Sequence, residues 1–181
     1  FIIIDEEMSR RGSYFFRYKN KIVEECLNKS GTILEYRTYL AGIRAKHEED
    51  RAFCSVETGI TIGWDDENGG FNGTQNEIDC MLMCGVCPIF ISCKNGDIKT
   101  EELYKLGTVS EEFGSSYTKA VLLSTTFFDE NSAAHNTRTT SPKSVLKLKR
   151  RALDMNIKLI SKANSMGEGT FDSAVESLAS F

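Results

Sequence analysis

The chain has 181 residues and a formal net charge of −4, and 40% of its residues are hydrophobic while 27% are charged. This length suits one domain with a core that needs no disulfide bonds, and the composition is ordinary for a soluble globular protein. No run is apolar enough to cross a bilayer and no secretory signal pattern opens the chain, so we expect a cytoplasmic protein. The acidic balance does not by itself indicate a nucleic-acid-binding protein.

The first twelve residues are typical of a chain that is a fragment of a longer protein. The apolar, strand-like run Phe1-Ile2-Ile3-Ile4-Asp5 opens the chain without an initiator Met, and a charged break through Arg10, Arg11 and Gly12 follows it. We therefore expect residues 1–12 to be the remnant of a linker or an upstream domain, and residues 13–181 to form one domain.

Two helices are predicted next. Apolar residues recur at helical spacing between Tyr14 and Leu27, which predicts the first helix. Thr32 is placed to cap the second helix. Its predicted apolar face consists of Leu34, Tyr36, Leu40 and Ile43. Glu35 lies in the first turn, where the helix dipole favours an acid whatever its function.

The central feature of the sequence is a predicted β-hairpin. After a strand over residues 54–64, the apolar runs Asn76–Met83 and Pro88–Gly96 flank a short turn that contains Gly85. Because side chains alternate faces along a strand, Glu77 and Asp79 share one side of the first run, and Ser92 and Lys94 share one side of the second. The hairpin thus brings a carboxylate near an amine, either as a structural ion pair or as part of a site.

The later elements predict an α/β domain. A helix over residues 97–113 turns Leu103, Leu106 and Val109 inward and carries Glu101 and Glu102 at its start. A buried strand over residues 120–124, a basic helix over 144–155, a strand over 157–160 and a final amphipathic helix follow. Hairpin connections make the first strand pairs antiparallel and helical crossovers make the later ones parallel, so the predicted sheet is mixed and flanked by helices.

Basic residues concentrate late in the chain. Between residues 138 and 162 the only acid is Asp154. Such an excess can line a phosphate track, although a charged helix face is more often simply solvated. The candidate nucleic-acid-binding residues are Arg138, Lys143, Lys147, Lys149, Arg150 and Arg151.

Three of the six cysteines have a spacing that resembles a metal motif. Cys80, Cys84 and Cys87 form C-x3-C-x2-C, a spacing used for iron-sulfur clusters, and Cys84 with Cys87 could be half of a zinc site. Cys80, however, lies within a strand pattern, and no second C-x-x-C follows. Free cysteines in a reducing compartment are the favoured interpretation.

The hairpin and the second helix resemble a known family. Asn76-Glu77-Ile78-Asp79, Phe90-Ile91-Ser92-Cys93-Lys94-Asn95-Gly96 and Gly31-Thr32-Ile33-Leu34-Glu35 are similar to the nuclease domain of the CRISPR-associated effectors that join a CARF sensor to a PD-(D/E)XK nuclease. The resemblance runs from about Tyr18 to Ile160. It implies a restriction-endonuclease-like fold with a mixed central sheet flanked by helices.

The resemblance also implies a site for a divalent metal. In that superfamily an Asp on one strand and an acidic-x-Lys motif on the next hold the metal, with help from a helical Glu. By position these are Asp79, the run Ser92-Cys93-Lys94, and Glu35, with the carbonyl of Cys93 as a further ligand. Ser92 stands where the family has an acid, so Glu77 or Glu102 is expected to make up for it. Oxygen ligands select Mg²⁺ or Mn²⁺, and Lys94 would orient water or stabilise charge on the phosphate.

The expected function is therefore a metal-dependent endonuclease that hydrolyses DNA, RNA or both, as an effector in CRISPR-linked antiviral defence. The resemblance implies an upstream CARF-type sensor that binds cyclic oligoadenylate, and a homodimer. Two alternatives stay open: a catalytically decayed nucleic-acid-binding module of the same fold, in which Ser92 has ended metal affinity, and an iron-sulfur or zinc protein using Cys80, Cys84 and Cys87.

Overall fold

The structure, a computed structural model, describes residues 2–10, 13–29, 31–47, 52–63, 75–96, 98–114, 116–125 and 142–180. The chain divides into two compact units, Phe1–Ile33 and Leu34–Phe181. None of the described helices combines the length and the hydropathy needed to cross a bilayer.

The first unit is a hairpin followed by a helix. Strands β1 (Ile2–Arg10) and β2 (Ser13–Tyr18) pair antiparallel, and helix α1 spans Lys21–Asn28. The side chain of Asn20 caps α1 by accepting hydrogen bonds from the amides of its first turn. The helix predicted over 14–27 is therefore wrong in its first half, because the aromatic residues there favour a strand that pairs with β1. The domain boundary predicted between residues 12 and 13 stays a prediction.

The second unit is built on a five-stranded mixed sheet in the order β3-β4-β5-β6-β7. Strands β3 (Ser55–Ile62), β4 (Asn76–Cys84) and β5 (Cys87–Lys94) pair antiparallel, while β6 (Lys119–Ser124) and β7 (Ile157–Ile160) continue the sheet in parallel. The predicted central hairpin and the predicted mixed sheet with its flanking helices are confirmed. Trp64, the predicted end of the first sheet strand, lies outside the described residues.

Helices cover both faces of this sheet. Helices α2 (Thr32–His47) and α5 (Glu168–Glu176) contribute to one hydrophobic core, and α3 (Thr100–Phe113) and α4 (Pro142–Asp154) contribute to the other. Short 3₁₀ helices over Ala163–Ser165 and Ser177–Ser180 flank α5. Leu103, Leu106 and Val109 of α3 are buried as predicted. Because α3 joins β5 to β6, it begins just beyond the end of β5, which determines the position of the candidate site.

The predicted apolar face of α2 is only partly correct. Leu34 is buried, but Tyr36 and Leu40 are 47% and 50% exposed. The side of α2 that packs on the sheet instead uses small residues, which let the helix backbone approach the strands closely. The buried residues of α2 after Leu34 are Thr38, Ala41, Gly42 and Ala45. Thr32 is the first helical residue rather than the predicted cap.

Gly42 predicts a measurable effect on stability. A Cβ atom there would lie 2.7 Å from Leu82 Cδ2 and 3.0 Å from Val56 Cγ1, whereas one at Gly169 of α5 would meet nothing within 4 Å. Both substitutions to Ala gain helix propensity of up to about 1 kcal/mol, but only Gly42→Ala overpacks the core, at a cost of about 1–3 kcal/mol. We expect urea unfolding to show Gly42→Ala as the less stable variant by about 2 kcal/mol. Equal stabilities of the two variants would contradict this close packing.

Candidate functional site

A cavity of about 130 Å³ lies between the β4–β5 hairpin and α3. The hairpin contributes one wall, near the carboxyl end of β5, and the first turns of α3 contribute the other. Its apolar lining includes Ile78, Ile91 and Leu106. The polar residues that line it are Glu77, Asp79, Ser92, Lys94, Glu102 and Lys105.

Asp79 is held firmly by the hairpin that carries it. Its Oδ2 accepts a hydrogen bond from the backbone amide of Cys93 at 2.6 Å and another from Ser92 Oγ at 3.2 Å. Hydrogen bonds to a carboxylate are about twice as strong as neutral ones, so this pair restricts the side chain to one orientation. Asp79 Oδ1 has no hydrogen-bond donor in the described part of the chain, and it is the oxygen available to a ligand.

The backbone next to Asp79 departs from regular strand geometry. Gly59 of β3 has a φ of +64°, and Thr58 Oγ1 donates a hydrogen bond to the carbonyl oxygen of Asp79 at 2.8 Å. Before this point in β3 Val56 packs in the core under α2, and after it Ile60 packs in the core under α3. A regular strand would place both on one face. The left-handed conformation of Gly59 therefore changes the face to which the β3 side chains point, at the position beside Asp79.

Lys94 is bound by an acid from the helix. Its Nζ lies 3.1 Å from Glu102 Oε2, with the two side chains 31% and 35% exposed. Burial alone would lower the pKa of Lys94, but the hydrogen bond to Glu102 and the negative charge of Asp79 outweigh it and raise the pKa above its ordinary value of 10.5. The lysine is therefore a fixed cation, and its nearest partner is Glu102 rather than an acid of the hairpin.

Glu35 and Cys93 are not among the residues that line the cavity. Glu35 is half-buried in the first turn of α2. Burial raises the pKa of the Cys80 and Cys93 thiols, a hydrogen bond between Cys93 and Thr38 opposes the rise at Cys93, and the charges of Asp79 and then Glu35 add to the rise. Cys93 is 4% exposed, and its amide contacts Asp79. Of the residues expected to hold a metal, the structure brings Asp79, Glu77 and Glu102 to one cavity, whereas Glu35 lies on α2 and is not part of its lining.

Lys105 lines the cavity and was not singled out from the sequence. It is exposed and lies three residues after Glu102 on α3, so the two side chains share a helix face. The three-residue spacing from Glu102 was the signal in the sequence that could have identified Lys105. It was not sufficient alone, because Glu101 also lies at the start of the helix and the sequence does not show which of the two acids faces the cavity.

The basic residues are spread around α4. Lys147 and Arg150 are exposed, while Lys149 and Arg151 are half-buried. Arg138 lies outside the described residues, as does the side chain of Lys143. The guanidinium of Arg151 stacks 5.5 Å from the ring centroid of Tyr104 on α3, the neighbour in sequence of Lys105. Part of the α4 basic face thus adjoins the helix that lines the cavity.

The cysteine motif is dispersed along the hairpin. Cys84 and Cys87 face each other across its two-residue turn, whereas Cys80 lies four residues away, about 13 Å along the strand. Burial, with the charge of Asp79 adding to it, raises the pKa of the Cys80 thiol to about 12, and a metal ligand must be a thiolate. This arrangement does not support a shared cluster on Cys80, Cys84 and Cys87.

The oxygen atoms that line the cavity are of the type that binds hard divalent cations. Three carboxylates and the Ser92 hydroxyl line it, and oxygen donors are those that Mg²⁺ and Mn²⁺ prefer. Among the described residues, no three acidic, His or Cys side chains are close enough together to enclose one ion. Asp79, Glu77 and Glu102 therefore suit a metal by the chemistry of their oxygens, while Glu102 is paired with Lys94.

Comparison with known proteins identifies the fold. No family model and no curated protein matches the chain. The chain is similar to the crystal structure of protein VC1899 from Vibrio cholerae, with a TM-score of 0.68 and 15% identity over 95% of this chain and 39% of that one. It is also similar to Can2 from Sulfobacillus thermosulfidooxidans, solved in complex with cyclic tetra-adenylate (cA4), with a TM-score of 0.57 and 16% identity over 88% and 40% of the two chains.

At these identities the likeness shows a shared fold, a mixed α/β architecture with a five-stranded mixed sheet flanked by helices. The chain spans about two fifths of the length of each of these solved structures. The fold and site together define an α/β domain with a charged cavity at the carboxyl end of β5.

Proposed function

We propose that this domain is a divalent-metal-dependent endonuclease that hydrolyses phosphodiester bonds of DNA or RNA, as an effector in CRISPR-linked antiviral defence. The observation that carries the proposal is the convergence of Asp79, Lys94 and Glu102 on one cavity of a mixed sheet. A PD-(D/E)XK nuclease needs an acid and a lysine in this relation on adjacent strands, and the resemblance of the hairpin to that superfamily agrees with it.

The metal would rest on Asp79, with Glu35 and either Glu77 or Glu102 as further ligands and the Cys93 carbonyl as another. A divalent ion bound there supplies charge neutralisation of the phosphate and lowers the pKa of a coordinated water. Asp79 suits the role of main ligand, because Ser92 and Cys93 orient its Oδ2 and leave Oδ1 without a donor among the described residues. Ser92, which stands where the superfamily has an acid, would act by orienting Asp79.

Lys94 would orient the attacking water and stabilise negative charge on the phosphate. Its raised pKa keeps it an ammonium near neutral pH, so it donates hydrogen bonds and acts as a positive charge rather than as a base. Being half-buried, this charge is screened less than a surface lysine and acts more strongly on a phosphate in the cavity. The basic residues of the α4 segment, Arg138, Lys143, Lys147, Lys149, Arg150 and Arg151, would hold the nucleic acid beside the cavity.

The regulation that we propose depends on a longer chain. Both of the solved structures compared above are more than twice as long as this chain, and one of them, Can2, was solved with cA4 bound. We propose an upstream CARF-type sensor that binds cyclic oligoadenylate and controls access to the cavity, in a homodimer. If the full-length protein fails to bind any cyclic oligoadenylate in calorimetric titration, this regulation is refuted.

One observation favours a second candidate, a catalytically decayed nucleic-acid-binding module of the same fold. Ser92 stands where the superfamily has an acid, and four of the polar side chains of the cavity bind each other: Ser92 to Asp79, and Glu102 to Lys94. A site whose side chains are paired with each other in this way could bind a nucleic acid without cleaving it.

Cleavage assays separate the two candidates. Labelled single-stranded and double-stranded DNA and RNA are incubated with the full-length protein, with and without cyclic oligoadenylate, in Mn²⁺, in Mg²⁺ and in EDTA. The nuclease proposal requires cleavage with a metal and none in EDTA. Binding without cleavage under every condition supports the decayed module.

The substitution Ser92→Glu distinguishes a site in which another acid replaces the missing one from a site that has lost its activity. If Glu77 or Glu102 already replaces the missing acid, the wild type cuts and the added carboxylate changes the rate little or slows it by crowding Asp79. If the site has decayed, the wild type is inactive and Ser92→Glu creates activity. We expect the first result in initial-rate measurements at saturating Mn²⁺. Ser92→Ala is the control, since it removes the hydroxyl without adding an acid.

A further inference from the structure

We propose that Lys105 binds the phosphate next to the scissile one, and so positions the nucleic acid in the cavity. This inference rests on the proposed function of the same site. It assigns a role to a residue of α3 that neither the hairpin motif nor the basic α4 segment includes.

The rotation of α3 directs Lys105 to the cavity. Leu106 and Val109 are 6% and 4% exposed and pack in the core under the helix, which fixes the orientation of α3 about its axis. Glu102 and Lys105 then lie on the side that lines the cavity, one turn apart. Lys105 is exposed whereas Glu102 is half-buried, so the lysine lies at the mouth and the acid lies deeper.

The other cation of the cavity, Lys94, is paired with Glu102. Lys105 is therefore the lysine that can offset the charges of Glu77 and Asp79 at the cavity. Before a metal binds, the mouth without Lys105 would carry the uncompensated charges of Glu77 and Asp79 and would repel a polyanion. An ammonium at this place lowers that repulsion for the incoming strand, and phosphate contacts of this kind supply most of the sequence-independent affinity for nucleic acids.

The ordinary alternative for Lys105 is a helix-surface ion pair. Glu101 precedes it by four residues, the favourable order for such a pair on a helix. Among the described residues, however, Lys105 takes part in no ion pair, and its side chain lines the cavity. One turn of helix separates Lys105 from Glu102, the partner of Lys94, a distance comparable to that between neighbouring phosphates of a strand. Lys94 would thus act at the scissile phosphate and Lys105 at the next one.

The test compares Lys105→Gln with Lys99→Gln in the full-length protein. Lys99 is an exposed lysine at the start of the same helix that does not line the cavity, so the two variants change net charge equally. Binding of a labelled oligonucleotide is followed by fluorescence anisotropy in Ca²⁺ over a series of salt concentrations. We expect Lys105→Gln to lower the slope of log K against log salt by about 0.7 to 0.9, the loss of one phosphate contact, and Lys99→Gln to leave it unchanged. Lys105→Arg should restore the slope.

The outcomes separate this inference from the proposed function. Binding that depends on Lys105 in a protein that never cleaves supports the inference and refutes the nuclease proposal. Cleavage by the wild type, with equal salt slopes for Lys105→Gln and Lys99→Gln, refutes the inference and leaves the nuclease proposal standing. A wild type that neither binds nor cleaves nucleic acid overturns both.

Discussion

Asp79→Ala should abolish both metal binding and cleavage. Asp79 is the acid that the hairpin holds most firmly, through the Cys93 amide and the Ser92 hydroxyl, and the other carboxylates of the cavity are exposed or already bound. Removing it deletes the main ligand and leaves those two donors without their acceptor. We expect no heat of Mn²⁺ binding at this site in calorimetric titration, and a cleavage rate at the level of the EDTA control.

Asp154→Ala is the matched control, because Asp154 is exposed at the end of α4 and does not line the cavity. It should bind Mn²⁺ and cleave as the wild type does. Thermal unfolding of both variants shows whether the loss comes from misfolding. Cleavage by a folded Asp79→Ala variant at more than a few per cent of the wild-type rate would remove Asp79 from the proposed mechanism.

Lys94→Ala should lower the cleavage rate by about two orders of magnitude, the scale for loss of one electrostatic stabiliser, and should spare Mn²⁺ binding. The lysine acts through its charge and its distance to the phosphate, and it supplies no oxygen to the metal. Single-turnover rates at saturating Mn²⁺ separate this effect from weaker substrate binding. Lys99→Ala, which removes an equal charge on the same helix outside the cavity, should cleave normally.

The pH profile gives an independent check on Lys94. A raised lysine pKa means that the ammonium and its ion pair with Glu102 are fully present below the ordinary value of 10.5, and are lost only as the pH rises through the raised value. The wild-type rate should therefore show no decline from deprotonation of Lys94 between about pH 7 and 9. A decline in that range that is absent from Lys94→Ala would contradict the assigned pKa direction.

The sheet was predictable because its strands are strongly patterned. Glycine marks the turn of the central hairpin, and the apolar run Ala120-Val121-Leu122-Leu123 after a helix specifies a buried parallel strand. The two-residue period also placed Asp79 and Lys94 on one side of the hairpin, and both line the same cavity. These features are local, and local patterns are what a single sequence records well.

Other features depend on tertiary contacts that the sequence pattern does not show. The packed face of α2 consists of small residues such as Ala41 and Gly42, because the strands approach closely there. The apolar face predicted from the larger residues Tyr36 and Leu40 was therefore wrong at these two positions. The pairing of Lys94 with Glu102 depends on where α3 begins relative to β5. The backbone irregularity at Gly59 follows no period at all.

The most direct measurement of the central claim is the initial rate of cleavage by the activated full-length protein as Mn²⁺ is titrated in from an EDTA baseline, on whichever of DNA or RNA it binds best. We predict a rate that rises from zero and saturates with Mn²⁺, and that stays at zero throughout for Asp79→Ala. A wild type that binds nucleic acid, yet shows no cleavage at any Mn²⁺ or Mg²⁺ concentration with its activator present, would contradict the account.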